Sequence, residues 1–159
     1  DENRERARQM AAEMNKVELE VFRARSERYP GNTTWKFEYA LRLRRAGKIR
    51  EAIPAFQEAR GDSKRKAAVH IELGKCFEAI AQVKLAIDNF AQAIEHMGDR
   101  DKEPRKQALY RIGVLAMDKL NPPDLDRAEK YLTELAGLDF GFKDVSERLD
   151  KINKMRDGG

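Results

Sequence analysis

Residues 50–61 read REAIPAFQEARG, and 34 positions further on residues 84–95 read KLAIDNFAQAIE. Overlaid at that interval, residues 35–60 and 69–94 agree at Glu38/Glu72, Ala52/Ala86, Ile53/Ile87, Phe56/Phe90 and Ala59/Ala93. Conservative pairs fall between them, at Tyr39/Leu73, Ala40/Gly74, Leu43/Phe77 and Ile49/Val83. Each copy divides into two stretches of helical apolar periodicity around a short break, AGK at 46–48 and AQ at 81–82. One repeat is therefore a helical hairpin. Pro54 has no N–H and is tolerated only near a helix start, so the second helix of the first hairpin is expected to begin near Ile49 or Arg50.

The small residues set the geometry. Ala40 and Gly74 on the first helices, with Ala52 and Ala86 on the second, allow two antiparallel helices to approach closely, while Phe56 and Phe90 are expected to project toward the next hairpin. A single hairpin cannot bury that face, and stacking supplies the cover. A third, more divergent unit follows: ALYRIGVLAMDKL at 108–120 carries Ile112-Gly113, and DRAEKYLTELAG at 126–137 supplies Ala128 and Leu132, around a longer turn, NPPDL.

This pattern resembles the tetratricopeptide repeat, strongly in the middle two units and over roughly residues 17–140. The first copy departs from it at Tyr39-Ala40, where Leu-Gly is usual, and neither copy closes with the customary Pro, although Pro30 lies where a preceding unit would close. The resemblance implies an all-α, right-handed α-α superhelix, a solenoid of three hairpins at about 33–60, 63–97 and 103–137. Before them, residues 1–30 read as a long helix in which Val17, Leu19 and Phe22 belong to an upstream packing face. After them, residues 141–159 form a capping helix and tail, with Phe142, Val145, Leu149 and Ile152 on one face.

In the long N-terminal helix Ala7, Met10, Met14, Val17, Val21 and Ala24 step by three and four. That seam either packs on the first hairpin, the favoured arrangement, or pairs with a second copy as a short coiled coil, giving a homodimer. Helix punctuation is consistent with the hairpins: Thr33 is a candidate cap for the first helix, Asp62 or Ser63 for the third, Pro104 fits a first turn, and Gly31, Gly61 and Gly98 lie at junctions.

Composition narrows function. Charged residues are 38% of the 159, against roughly 25% in an average globular chain, which suits helices with long solvated faces. Net charge is +4, yet 28 acidic residues are interleaved with 32 basic ones, whereas nucleic-acid binding calls for a segregated basic patch. Only RLRR at 42–45 and KRK at 64–66 concentrate charge, and nucleic-acid contact ranks third among the readings. No apolar stretch approaches the roughly 18 residues of a membrane span, so membrane insertion is not expected. The lone Cys76 suits a reducing compartment and a cytoplasmic location. Because the chain does not begin with Met, it is expected to be a piece of a longer protein whose targeting signals can lie outside it.

No enzyme chemistry is visible. His70 and His96 match no metal or nucleophile spacing, and Cys76 lies about 240° around a helix from His70. No glycine-rich phosphate loop is present, and acidic pairs such as Glu51/Glu58 read as surface residues. No catalytic residue, cofactor, metal or small-molecule substrate is expected, and the leading reading is a non-enzymatic scaffold that binds a protein or peptide.

The first helix of each pair is where a partner site is expected. Trp35, Tyr39, Ala40 and Leu43 form a core-facing arc, yet Phe37 and Leu41 fall nearly opposite at 100° per residue. The second unit repeats the exception with Ile71 and Lys75, the third with Tyr110, Val114 and Met117. In tetratricopeptide proteins this side lines a concave groove, so the resemblance implies an apolar strip there with Arg44 and Arg45 on its rim. The absence of paired Lys and Asn at these positions disfavours recognition of an acidic C-terminus. The competing reading is that the strip is already covered, by the N-terminal helix or by a neighbouring repeat of a longer chain. A peptide burying about 500 Å² of apolar surface gains roughly 12 kcal/mol gross, and association costs of about 4–15 kcal/mol leave weak to micromolar binding.

Overall fold

The computed structural model describes residues 1–158, and among them it contains eight α-helices and no strand. The all-α expectation is met. α1 spans Glu2–Arg28, α2 Thr33–Arg45, α3 Ile49–Glu58 with a 3-10 turn at Ala59–Gly61, α4 Lys66–Ala79, α5 Val83–Glu95, α6 Lys102–Asp118, α7 Leu125–Leu138 and α8 Val145–Asp157. Extensive contact joins helices adjacent in the chain, and α2 also meets α4.

Packing within the second and third pairs of helices sets a bulky side chain on a glycine. The Phe90 ring of α5 packs on Gly74 of α4, so close that a Cβ there would stand 2.7–2.9 Å from three ring atoms. In the third pair Leu132 of α7 covers Gly113 of α6 in the same way. Ala40, Ala52, Ala59, Ala86 and Ala93 have no exposed surface. Phe56 meets Phe37 of its own pair edge-on at 5.8 Å, whereas Phe90 both packs on Gly74 of its own pair and lines the space toward α6 of the next.

The turn inside each of the first two pairs is the same device. Lys48 N–H donates to the Leu43 carbonyl and Gln82 N–H to that of Phe77, both at 2.9 Å, while Gly47 and Ala81 bond back to Arg44 and Glu78. This is the Schellman pattern, and it requires a left-handed residue. Gly47 takes φ +79° without cost, but the second turn places Ala81 at φ +60°, where Cβ crowds the backbone. Ala81→Gly is expected to stabilise the chain by about 0.5–1 kcal/mol, the relieved strain exceeding the entropy glycine adds to the unfolded state. Urea unfolding measures this, and a loss of stability would contradict it.

α3 begins at Ile49, as its proline predicts, but Pro54 itself lies in the second turn. Its missing N–H leaves the Arg50 carbonyl without an i+4 donor. Two caps differ from expectation. Asn32, not Thr33, caps α2, because its Oδ1 accepts from Trp35 N–H at 3.1 Å. The N-cap of α4 is Arg65 with no side-chain bond, since Asp62 accepts instead from Lys64 N–H at 3.0 Å and pairs with Arg65 at 2.8 Å. The capping helix starts at Val145 rather than 141, and Phe142 packs from the preceding turn.

Two expectations for α1 are also corrected. It meets α2 through Leu19, Phe22 and Ser26, the only residues of α1 that are even partly buried, and Phe22 lies 5.9 Å from Trp35 with the Arg42 guanidinium over its ring at 3.9 Å. Val17 is exposed, and the seam Ala7 to Ala24 points away from the first hairpin instead of packing on it. Leu19 and Phe22 already fill the space beside Trp35, so the opposite face finds nothing to cover it.

Alternate helices are tied in series by ions. Arg44 near the end of α2 pairs with Glu72 of α4, Glu78 near the end of α4 with Arg111 of α6, and Asp118 at the end of α6 with Arg148 of α8 at 3.1 Å. In each pair the later residue lies about one repeat further along the chain, 28, 33 and 30 positions on.

Candidate partner-binding groove

Between α4 and α6 lies an open cavity of about 570 Å³. Its wall on α4 is Ile71, Lys75 and Glu78, its wall on α6 is Glu103, Pro104, Gln107, Ala108 and Arg111, and Phe90 closes the floor from α5. The helical register explains the lining. Ile71, Lys75 and Glu78 step by four and three along one face, and Pro104, Gln107, Ala108 and Arg111 do so on the other side.

The cavity is apolar within and charged at its edge. Glu78 and Arg111 span it as an ion pair, with Arg111 Nε 3.3 Å from Glu78 Oε2. Lys75 is half-exposed and only 3.5 Å from Glu72, a carboxylate that Arg44 already engages. Glu103 pairs with Lys106 at 3.1 Å. One apolar side chain of a ligand can enter toward Phe90 and Ile71 while flanking polar groups meet these ions.

The residues predicted from sequence divide into three groups. Ile71 and Lys75 line the groove. Phe37 and Leu41 do not: Phe37 is buried against Phe56 with the Arg65 guanidinium 5.7 Å from its ring, and Leu41 is half-buried against the core. Tyr110, Val114 and Met117 are buried as well. The Tyr110 ring meets Phe142 at 5.8 Å, its hydroxyl donates to Asp144 at 2.7 Å, and Met117 Sδ lies 3.8 Å from Arg148. Arg45 is exposed, whereas Arg44 is tied down by Glu72 instead of standing free on a rim.

The expected continuous strip is thus closed in its first and third units and open between them. The cover comes from the start of α4 over Phe37 and from the turn before α8 over Tyr110, not from the long N-terminal helix. Pro104, Gln107, Ala108 and Arg111 lie outside the strip expected from the sequence, which on α6 runs from Tyr110 to Met117. Extending the α6 face one turn toward its start finds Gln107, and the Glu78–Arg111 pairing needed the structure.

Titration behaviour fits structural roles. Burial, followed by the bond to Asp144, raises the Tyr110 pKa. Burial works against ionisation of Asp144, but the Tyr110 hydroxyl and Arg148 outweigh it and hold this carboxyl below its ordinary value. Burial pushes the Cys76 thiol up to about 11, and Cys76 has no exposed surface. Such a thiol is protonated at neutral pH and a poor nucleophile.

His70 Nδ1 is 3.0 Å from Asn89 Oδ1, whose amide donates to the Leu85 carbonyl at 2.9 Å, and the His70 and His96 rings stack at 5.9 Å. No cluster of three metal-ligating side chains exists among the described residues. Two of the three arginines of 42–45 are paired with carboxylates, Arg42 with Glu18 and Glu38 and Arg44 with Glu72. Arg65 of 64–66 is paired with Asp62. No helix among the described residues is long and apolar enough to cross a membrane. No protein-family model matches the chain, and no curated protein matches it.

Proposed function

We propose that the chain is a non-enzymatic scaffold module, a tetratricopeptide-like superhelix that binds a short protein segment in the groove between α4 and α6. The observation that carries this reading is selective opening. Equivalent faces on α2 and α6 are covered by the chain itself, while Ile71 and Lys75 on α4 remain accessible beside an apolar floor. Support for the superhelix comes from sequential helix contacts, the repeated small-on-large packing and the shared turn geometry. A buried, protonated Cys76 is in keeping with a reducing compartment such as the cytoplasm.

The ligand that fits presents one bulky apolar side chain flanked by polar or charged residues. Peptides selected on the chain from a random display library are expected to lose at least about tenfold in affinity with Ile71→Asp, a change of about 1.4 kcal/mol. Gln107→Glu on the facing, exposed wall is expected to shift affinity in a charge-dependent manner. Fluorescence anisotropy reads the binding and circular dichroism the fold. Selected peptides that bind equally well to folded Ile71→Asp and Gln107→Glu proteins would place the site elsewhere.

A further inference from the structure

α1 carries apolar side chains on two faces, and its own body uses only one of them. Leu19 and Phe22 pack on α2, whereas Met10, Met14, Val17 and Val21 are 64%, 69%, 63% and 41% exposed on the nearly opposite side. No residue before Leu19 is even partly buried, so the first four turns stand clear of the other helices. An isolated helix of that length is marginal in water, and a seam of two methionines and two valines gives it a means of gaining cover.

We infer that this seam pairs with the same seam of a second copy, as a short antiparallel coiled coil about a two-fold axis between Asn15 and Lys16. Sizes along the seam are self-complementary under that operation. Ala7 falls opposite Ala24, Met10 opposite Val21 and Met14 opposite Val17, so each inner layer sets a long side chain on a shorter one and both ends close on alanine. At each end Arg6 meets Glu27 of the other copy. Glu13 approaches Glu20 across the axis, and each already has a cation, Lys16 at 3.3 Å and Arg23 at 2.5 Å. Arg4 approaches Arg25, whose guanidinium lies over the Phe22 and Trp35 rings at 5.3 and 4.9 Å.

A parallel pairing loses the Arg6–Glu27 contacts, stacks Met14 on itself and brings Glu13 to Glu18. The one contact it gains, Glu20 with Arg25, must compete with that aromatic stacking. In the antiparallel arrangement the two bodies lie on the outer faces, at opposite ends of the helix pair, and both α4–α6 grooves stay open. The seam offers roughly 500 Å² per copy, about 1,000 Å² for the pair, at the lower limit for specific association. Dimerisation is accordingly weak, with a dissociation constant in the range of about 10–100 µM.

Sedimentation equilibrium of the 159-residue chain from about 1 to 300 µM tests the association. The weight-average mass is expected to climb from 18.3 kDa toward twice that value, and Met14→Glu with Val17→Glu to raise the dissociation constant at least tenfold. Both substitutions are at exposed positions, so the fold persists and circular dichroism verifies it. Orientation is read in a Cys76→Ala background by mild oxidation. Met14→Cys protein mixed with tagged Val17→Cys protein is expected to give the mixed disulfide, with little self-linked Met14→Cys. A concentration-independent 18.3 kDa monomer, a dimer insensitive to the glutamates, or preferential self-linking of Met14→Cys overturns the proposal.

Discussion

Phe90→Ala is expected to cost about 3–5 kcal/mol, toward the upper end for a buried aromatic. The ring is almost fully buried, and the residue beneath it is Gly74, which has no side chain that could move into the vacated space. A site that cannot collapse retains its cavity, and cavity volume adds to the lost transfer energy. For a chain of this size the melting temperature falls by roughly 10–15 °C. Urea unfolding gives the free energy, and a loss below about 1 kcal/mol would mean that the ring is not seated as described. The same contact predicts a reversal of sign. Gly74→Ala destabilises the parent chain, because its new methyl meets the ring, and stabilises the Phe90→Ala chain, where it fills part of the hole and supplies a better helix former.

Gly113→Ala is expected to destabilise by about 2 kcal/mol, although exchanging glycine for alanine in an unstrained helix gains about 1 kcal/mol. A Cβ at Gly113 enters the van der Waals shell of Leu132 Cγ and both δ carbons, and Leu132 is fully buried. Leu132→Ala alone costs about 2–5 kcal/mol by cavity formation. Combined, the two substitutions exchange volume across one contact and are expected to cost less than their sum by about 2 kcal/mol. Additivity within 0.5 kcal/mol, on the usual scale for independent sites, would show that the helices do not meet there.

These two contacts also indicate what was readable before any coordinates. Ala40, Gly74 and Gly113 stood out as small residues at equivalent places on three helices, and the structure finds a neighbouring helix close to each glycine. Helix type and start followed from periodicity and from Pro54, since both depend on local backbone chemistry. Cover was not local. Whether Phe37 or Tyr110 faces solvent depends on Arg65 and on Phe142 and Asp144, groups about 30 residues away whose approach no helical wheel encodes. Ile71 and Lys75 have the same wheel position and remain open because α6 stands off from α4. For α1 the wheel identified an apolar seam correctly, but Leu19 and Phe22 on the other face won the contact with α2.

The ties Arg44–Glu72, Glu78–Arg111 and Asp118–Arg148 join helices two places apart, while hydrophobic packing joins immediate neighbours. Ionic ties thereby bridge across the helix that lies between, in addition to the contacts of neighbours. The ties lie partly open to solvent, whereas the Gly–Phe and Gly–Leu seats are buried. The tie between Glu78 and Arg111 joins the two walls of the open cavity, so the width of that cavity is expected to follow the strength of the pair. Added salt, by screening such a partly exposed pair, is expected to loosen the mouth of the cavity while the buried seats hold.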